Sequence, residues 1–369
     1  MKQITYSQPD QSPLFRPILR FSIPLMLTGL LQLAYNTADS VVVGRYAGST
    51  SLAAVGATTS IIFLLVTLFN GVSIGTNYLT ARYYGAGDQE AISQTVHCSA
   101  VLSVILGLMA GVVGILFSTP LLELAGAPMD VLPLSSLYLK IYFLGIPALV
   151  AYNFGSAILR AVGDSKHPLI YLAVASLVNI ALDFLFVCGF HMGIAGVAIA
   201  TIIAQAVSSA MVLYKLMHTQ EDYRIELRKV RFHKKMVRRI VSLGFPAALQ
   251  QSITSFSNVV VQSYINFFGA AAMAGYSAML RIDGFLQLPL QSFNMAITTF
   301  VGQNIGARKY KRVKKGIWAA WAMCSLVILV GSVCMYFFAS FLISIFTDDA
   351  QVIANGSGML RIFSTAYIL

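Results

Sequence analysis

The stretch FSIPLMLTGLLQLAYNTADSVVV (residues 21–43) is apolar enough and long enough to be a helix that crosses a lipid bilayer. Similar apolar runs recur along the 369 residues, of which 57% are hydrophobic and only 11% are charged. A soluble domain averages roughly a quarter charged residues. The sequence therefore predicts an all-α polytopic membrane protein. Its ten predicted spans are 18–44, 52–80, 92–118, 132–158, 168–190, 193–217, 240–267, 272–302, 315–346 and 352 to the end.

The chain contains an internal repeat. The stretch FPAALQQSITSFSNVVVQSYI (245–265) aligns with the opening stretch and matches Pro246 to Pro24. Segments 80–90 and 301–311 also align with each other. The offset between the two copies differs by one residue from that of the first alignment, so a gap of one residue brings both alignments into a single repeat. A repeat of this length predicts two homologous helical bundles, and because both begin on the same side of the membrane they are parallel repeats.

The repeat divides the chain into three parts. We predict an N-terminal lobe of six helices over 1–217, a basic linker over 218–239 and a C-terminal lobe of about four helices over 240–369. The offset places the partners of the fifth and sixth spans beyond residue 369. From the sequence alone we therefore expect a C-terminally incomplete sequence or a shortened gene product.

The positive charges are distributed unequally between the two sets of loops. Most of the 25 Lys and Arg fall in the N-terminal segment, the 218–239 linker and the other loops on that side. Because cytoplasmic loops are the positive ones, the N-terminus is predicted to be cytoplasmic. The net charge of +11 is then explained by topology, with the lipid bilayer and its anionic headgroups as partners rather than nucleic acid.

Polar residues form stripes inside two of the predicted spans. Gln32, Asn36 and Asp39 fall on one face of the first span, and Asn179 and Asp183 fall on one face of the fifth. Hydrogen bonds between helices would explain the amides alone. A carboxyl group in hydrocarbon costs several kcal/mol, so the two acids predict a functional site.

Further polar residues make a candidate substrate cavity. The sixth span carries Thr201 and Gln205, and the seventh span carries the uncharged residues Thr254 and Asn258. Asp283 in the eighth span is open to a structural or a functional interpretation. The candidate substrate-cavity residues are Gln32, Tyr35, Asn36, Gln205, Gln251, Thr254, Asn258 and Asp283.

Six short motifs, in order along the chain, carry a family resemblance. They are NTADSVVVGR (36–45), ARYYGAGD (81–88), ILRAVGDSKHPL (158–169), VNIALDFLFV (178–187), GIAGVAIAT (193–201) and FVGQNIGARK (300–309). Together they resemble the multidrug and toxic compound extrusion family, in particular its bacterial NorM- and DinF-type branches, between which the motifs do not decide.

The resemblance implies two lobes around a central cavity that opens alternately to either side of the membrane. It also implies a secondary antiporter that exports cationic or amphipathic drugs in exchange for protons or sodium, with no enzyme activity and no cofactor besides the coupling ion. Such a protein is expected in the inner (plasma) membrane, as a monomer.

The resemblance also assigns the coupling ion to particular residues. Asp39, Asn179, Asp183 and Thr201 match the cation site of the first lobe, where sodium or a proton would bind. The acid that some members carry in the seventh helix is absent here, where the chain has Gln251 and Thr254. The coupling chemistry is therefore expected in the first lobe.

Two other functions compete with the antiporter. A lipid-linked precursor flippase of the same superfamily would be expected to hold phosphates with several arginines inside its spans, where Arg281 is nearly alone. An integral membrane prenyl or glycosyl transferase would need clustered Asp motifs for metal–diphosphate chemistry, but the loops carry isolated acids and the pair Asp348–Asp349.

Overall fold

The computed structural model describes residues 14–367, and this part of the chain is helical almost throughout, without a strand. The helices are α1 Phe15–Val42, α2 Ser49–Ala86, α3 Gln89–Leu124, α4 Leu132–Ala161, α5 Lys166–Asp183, α6 Gly193–His218, α7 Lys234–Asn266, α8 Ala270–Gly306, α9 Tyr310–Phe337, α10 Ala339–Ser344 and α11 Ala350–Ala366. Two π-helical segments, Val43–Ala47 and Phe184–Gly189, continue α1 and α5.

One long helix covers each of the predicted spans except the ninth, and the all-α membrane fold is confirmed. By length and composition, seven described helical segments are suited to cross a membrane: Phe15–Ala47, Thr50–Ala86, Gln89–Leu124, Leu132–Ala161, Lys166–Gly189, Gly193–His218 and Tyr310–Phe337. The helices extend past several predicted limits, because polar residues at the ends of a membrane helix remain helical outside the apolar run.

The ninth predicted span, 315–346, was wrong as a single helix. The helix α9 ends at Phe337, and the short helix α10 begins at Ala339. Phe338 between them has φ −102° and ψ 15°, which interrupts the regular helical backbone. Neither proline nor glycine marks this break, so the apolar pattern alone did not reveal it.

The backbone repeats its special conformations at equivalent positions. Gly48 precedes α2 with φ 88°, and Gly269 precedes α8 with φ 90°. After α2, Gly87 has φ 68°, and after α8 its counterpart Arg308 has φ 58°. A positive φ at a residue other than glycine is uncommon. Arg308 adopts it where the other copy of the repeat has glycine, which supports the sequence alignment of the two copies.

The segment between α6 and α7 packs against α3, α4 and α6. Tyr223 and Ile225 are buried in a cluster with side chains of α3, α4 and α6. The backbone N–H of Glu226 donates to Nε2 of the buried His97 at 3.0 Å. Lys229 donates to the Glu226 carboxylate at 2.9 Å and holds the pKa of that carboxyl below its usual range. The basic linker is therefore held against the N-terminal part of α3. The limits of the two lobes stay a prediction.

Candidate ion-coupling site

The helices α1 and α5 pack against each other and bring two carboxyl groups together. Asp39 lies near the end of α1, and Asp183 is the last residue of α5. Their side chains lie within hydrogen-bonding range of each other. Two ionised carboxylates are both acceptors and cannot bond each other, so a hydrogen bond between these two groups would need a proton on one of them. The predicted acids of the first and fifth spans thus form a pair.

The pair has no cationic partner within residues 14–367. Asp183 is fully buried, and neither of its carboxylate oxygens accepts a hydrogen bond from an N–H or O–H group of the described residues. Oδ1 of Asp39 is buried and unpaired in the same way. A buried carboxylate is costly unless it is paired, so these oxygens are suited to bind a proton or a small cation.

A π-helical segment follows each carboxyl. One segment, Val43–Ala47, begins one turn after Asp39, and the other, Phe184–Gly189, begins directly after Asp183. The segments touch through the rings of Tyr46 and Phe184, whose centroids are 6.0 Å apart at an angle of 68°. π-Helical turns are rare and occur frequently at functional sites. Nothing in the apolar periodicity of the sequence indicated them.

The two other predicted ion ligands lie on helices next to the pair. Asn179 is one turn before Asp183 and is 1% exposed, and both polar atoms of its amide lack a partner among the described residues. Thr201 is buried on α6, which packs against α5, and its hydroxyl donates to the carbonyl of Val197 at 3.0 Å. Asn179 therefore has a free oxygen for a cation, whereas the proton of Thr201 is used within its own helix.

Tyrosines of α4 surround the pair, and the sequence analysis missed them. Tyr138 and Tyr142 are buried and stack at 6.3 Å. Both are electrostatic neighbours of Asp39, as is Tyr35 of α1. Their spacing of four residues within one span indicates a shared helix face and could have been recognised, but the sequence analysis selected acids and amides instead. Gln205 of α6 is a polar neighbour of Tyr142, which brings this predicted cavity residue to the edge of the site.

The remaining predicted cavity residues are more accessible. Gln32 and Asn36 are exposed on α1, Thr254 and Asn258 are exposed on α7, and Gln251 is partly buried. The hydroxyl of Thr254 donates to the Gln250 carbonyl of its own helix at 3.1 Å. No described contact joins Gln32, Asn36, Thr254 or Asn258 to the carboxyl pair.

Asp283 belongs to a separate hydrogen-bond network. It accepts from the hydroxyl of Tyr367 at 2.6 Å, and that hydroxyl accepts from Gln287 at 2.8 Å. The network ties α8 to α11. The sequence analysis did not single out Gln287 or Tyr367, although Gln287 lies one turn after Asp283 on the same face of α8.

Polar contacts also hold α8 against α2 and α4. Thr299 donates to the side-chain oxygen of Asn77 at 3.1 Å, and the Asn77 amide donates to the carbonyl of Ala157 at 3.0 Å. Gln303 donates to the carbonyl of Ala161 at 2.7 Å. These residues are buried and lie towards the ends of α2, α4 and α8 that are nearest the linker.

The backbones of α2 and α8 approach closely beside these hydrogen bonds. A Cβ added at Gly306 would overlap the carbonyl oxygen of Arg82, and one added at Gly85 would overlap the backbone of Gln303. An apolar cluster of Phe21, Leu25, Phe293 and Phe300, among others, packs α1 against α8 on the same side. We refer to the contacts of α2, α4 and α1 with α8 as the linker-side closure.

Comparison with known proteins decides the family. The model of the family described as MatE matches residues 24–185 and 246–369. The chain belongs to the MatE family. This confirms the resemblance to multidrug and toxic compound extrusion (MATE) transporters that the motifs indicated.

Known MATE proteins are similar along nearly the whole chain. "Probable multidrug resistance protein YpnP" of Bacillus subtilis (strain 168) is 31% identical over 352 residues, covering 95% of this chain and 78% of that protein. "Probable multidrug resistance protein YoeA" of the same organism is 28% identical over 366 residues, covering 96% of this chain and 78% of that protein. A solved "Outward-facing conformation of a multidrug resistance MATE family transporter of the MOP superfamily" has a TM-score of 0.88 and 26% identity, covering 97% of this chain and 80% of that chain.

The family membership chooses between the alternative functions. MATE proteins are antiporters that export drugs, and they are not enzymes. The chain is therefore a multi-pass membrane transporter for small molecules, and the flippase and transferase interpretations are not favoured.

We predict that the close approach at Gly306 controls the linker-side closure. Gly306→Ala should push α8 away from Arg82 and open the closure, because the added Cβ overlaps a backbone carbonyl. The test is the rate at which a membrane-impermeant maleimide labels Thr299→Cys, a fully buried position, in protein without its four native cysteines.

The matched control is Gly358→Ala on α11, where an added Cβ meets no atom within 4 Å. We expect Gly306→Ala to increase the labelling rate severalfold and the control to leave it unchanged. Equal labelling rates for the two variants would contradict the assignment.

Proposed function

We propose that this transporter exports cationic or amphipathic drugs in exchange for protons, and that the pair Asp39–Asp183 carries the exchanged proton. The observation that supports the proposal is that the buried Asp183 carboxyl and the partly buried Asp39 carboxyl lie next to each other, without a cationic partner within residues 14–367. Carboxyls that face each other resist double ionisation, so the pair binds one proton readily.

A proton is the first candidate for the coupling ion. Two carboxyls that face each other without a cationic partner can share one proton. The unpaired oxygens of Asn179 and Asp183 are hard ligands of the kind that a small cation prefers. Sodium is therefore the second candidate, and it would use Asp39, Asn179, Asp183 and Thr201.

The exchange follows from a competition between two states of the pair. The pair with one proton joins α1 to α5 and carries a net charge of −1. When the proton leaves, two like charges remain in a buried site and the contact is lost. A cationic drug stabilises that doubly ionised state, so the proton and the drug bind preferentially to different conformations of α1.

The drug is proposed to bind in a central cavity lined by Gln32, Tyr35, Asn36, Gln205, Gln251, Thr254, Asn258 and Asp283. Support comes from the exposure of Asn36 and Thr254 on α1 and α7, away from the linker-side closure. A cavity closed near the linker and open at its other end corresponds to an outward-facing conformation, provided that the linker is cytoplasmic.

We further propose that the protein is a monomer of the inner (plasma) membrane with a cytoplasmic N-terminus, and that it needs no cofactor besides its coupling ion. The orientation is supported by the basic residues of the linker and of the start of α9, which would lie on the cytoplasmic side.

The coupling proposal predicts that Asp39→Asn and Asp183→Asn each abolish efflux driven by a proton gradient. Each change removes the proton site while it keeps the shape of the side chain. Uptake of ethidium into inverted vesicles with an imposed proton gradient measures the activity. The control is Thr365→Ala on α11, an exposed position outside the proposed cavity whose hydroxyl bonds carbonyls of its own helix. We expect at least a tenfold loss for either acid, which corresponds to about 1.4 kcal/mol of coupling.

Normal expression of each variant, checked by size-exclusion chromatography, excludes a folding defect. Gradient-driven transport at the unmodified rate by either Asn variant would contradict the proton site. Transport that follows a sodium gradient and ignores the proton gradient would select the second candidate.

The orientation predicts which side of the membrane can reach the linker. A cysteine that replaces Asp222, in protein without its native cysteines, should react with an impermeant maleimide only in inverted vesicles. A cysteine that replaces Asp130, between α3 and α4, should react only in intact cells. Reaction of position 222 in intact cells would reverse the topology.

A further inference from the structure

The exposed face at the start of α9 carries a basic groove that the transport mechanism does not use. Lys311, Lys314, Lys315 and Trp318 line a groove of about 470 Å³. Their spacing of three and four residues places all four on one face of the helix. We call this set the α9 groove.

The lysines of the α9 groove are available to a ligand. All three are exposed, and no carboxylate among residues 14–367 forms an ion pair with them. Three like charges within about one turn repel one another, which favours the binding of an anion among them. A phosphate group, with several acceptor oxygens, satisfies the ammonium donors that such a cluster presents.

An apolar surface continues the same helix face. Trp318 is 60% exposed, and Leu329 lies three turns further along the face, also exposed. That distance is about 16 Å, close to the roughly 15 Å depth of hydrocarbon in one leaflet. Trp321 packs edge-to-face on Trp318 at 5.6 Å and is itself exposed. Tryptophans of this kind are typical of the membrane–water interface.

We propose that the α9 groove is a binding site for an anionic phospholipid. The phosphate lies among Lys311, Lys314 and Lys315, the glycerol region lies against Trp318, and an acyl chain follows the helix towards Leu329. Charge complementarity and the continuous apolar face together select this occupant. A soluble phosphate would use the lysines alone and leave the tryptophan and the apolar face without a role.

The position of the α9 groove links the lipid to the transport cycle. The α9 residue Gly316 lies next to Lys315 and packs directly on the ring of Phe300, which belongs to the linker-side closure. Arg312 lies in the first turn of α9 and is buried, with its guanidinium 5.8 Å from the centroid of the same Phe300 ring. A lipid held on the outer face of this turn therefore anchors the helix end against which the closure is built.

The two tryptophans make the site measurable, because Trp318 and Trp321 are the only ones in the sequence. In the Trp321→Phe protein, all tryptophan fluorescence reports on the α9 groove. The full chain is reconstituted in phosphatidylcholine vesicles that contain increasing fractions of brominated phosphatidylglycerol or, separately, brominated phosphatidylcholine. Bromine quenches a tryptophan that it contacts, so the two titrations compare the lipids at one site.

We expect brominated phosphatidylglycerol to quench at about a tenfold lower mole fraction than brominated phosphatidylcholine, since each nearby basic residue favours an anionic lipid severalfold. The variant with Lys311→Gln, Lys314→Gln and Lys315→Gln should lose this preference. The control variant, with Lys234→Gln, Lys235→Gln and Arg238→Gln at the start of α7, removes the same charge from exposed positions and should keep it.

The other outcomes would overturn the proposal. Equal quenching by the two lipids in the unmodified lysine background would exclude a specific lipid site. Loss of the preference in both triple variants would reduce it to the general charge of that membrane face. Abolition of the preference by millimolar inorganic phosphate would assign the groove to a soluble anion. Unchanged elution in size-exclusion chromatography shows that each variant is folded.

Discussion

The contact between the carboxyls of Asp39 and Asp183 is the interaction on which the account of this transporter depends. It joins the end of α1 to the end of α5, both at the start of a π-helical segment. In the proposed mechanism the strength of this contact depends on one proton, because the two carboxyls share that proton when it is bound and repel each other without it. Binding of that proton would then change how two membrane helices are held together.

The helix α1 connects this contact to the closure at the other end of the molecule. Asp39 is near its end, whereas Phe21 and Leu25 near its start pack against Phe293 and Phe300 of α8. Pro24 lies inside the helix among these packed residues and removes the backbone hydrogen bond to the carbonyl of Arg20. Loss of the carboxyl contact can thus change the packing of α1, and the closure can respond without any direct contact between the two sites.

The sequence was sufficient to predict the features that depend on strong local patterns, namely the helices and the two acids within them. Apolar length located the helices, and the cost of burying a carboxyl selected Asp39 and Asp183. The surroundings could not be predicted in the same way. The π-helical segments and the break at Phe338 have no composition signal, and the bonds of Asn77, Thr299 and Gln303 join residues far apart in the chain. Asp283 was recognised as unusual, but its partner Tyr367 is known only from the packing of α8 against α11.

The number of protons released when a drug binds tests the central claim most directly. Calorimetric titration of the purified protein with tetraphenylphosphonium, in two buffers of different ionisation enthalpy, counts these protons without a membrane gradient. The account predicts the release of close to one proton per protein molecule, and no release from Asp39→Asn or Asp183→Asn. Binding of the cation without proton release, or undiminished release from the variant with both substitutions, would contradict it.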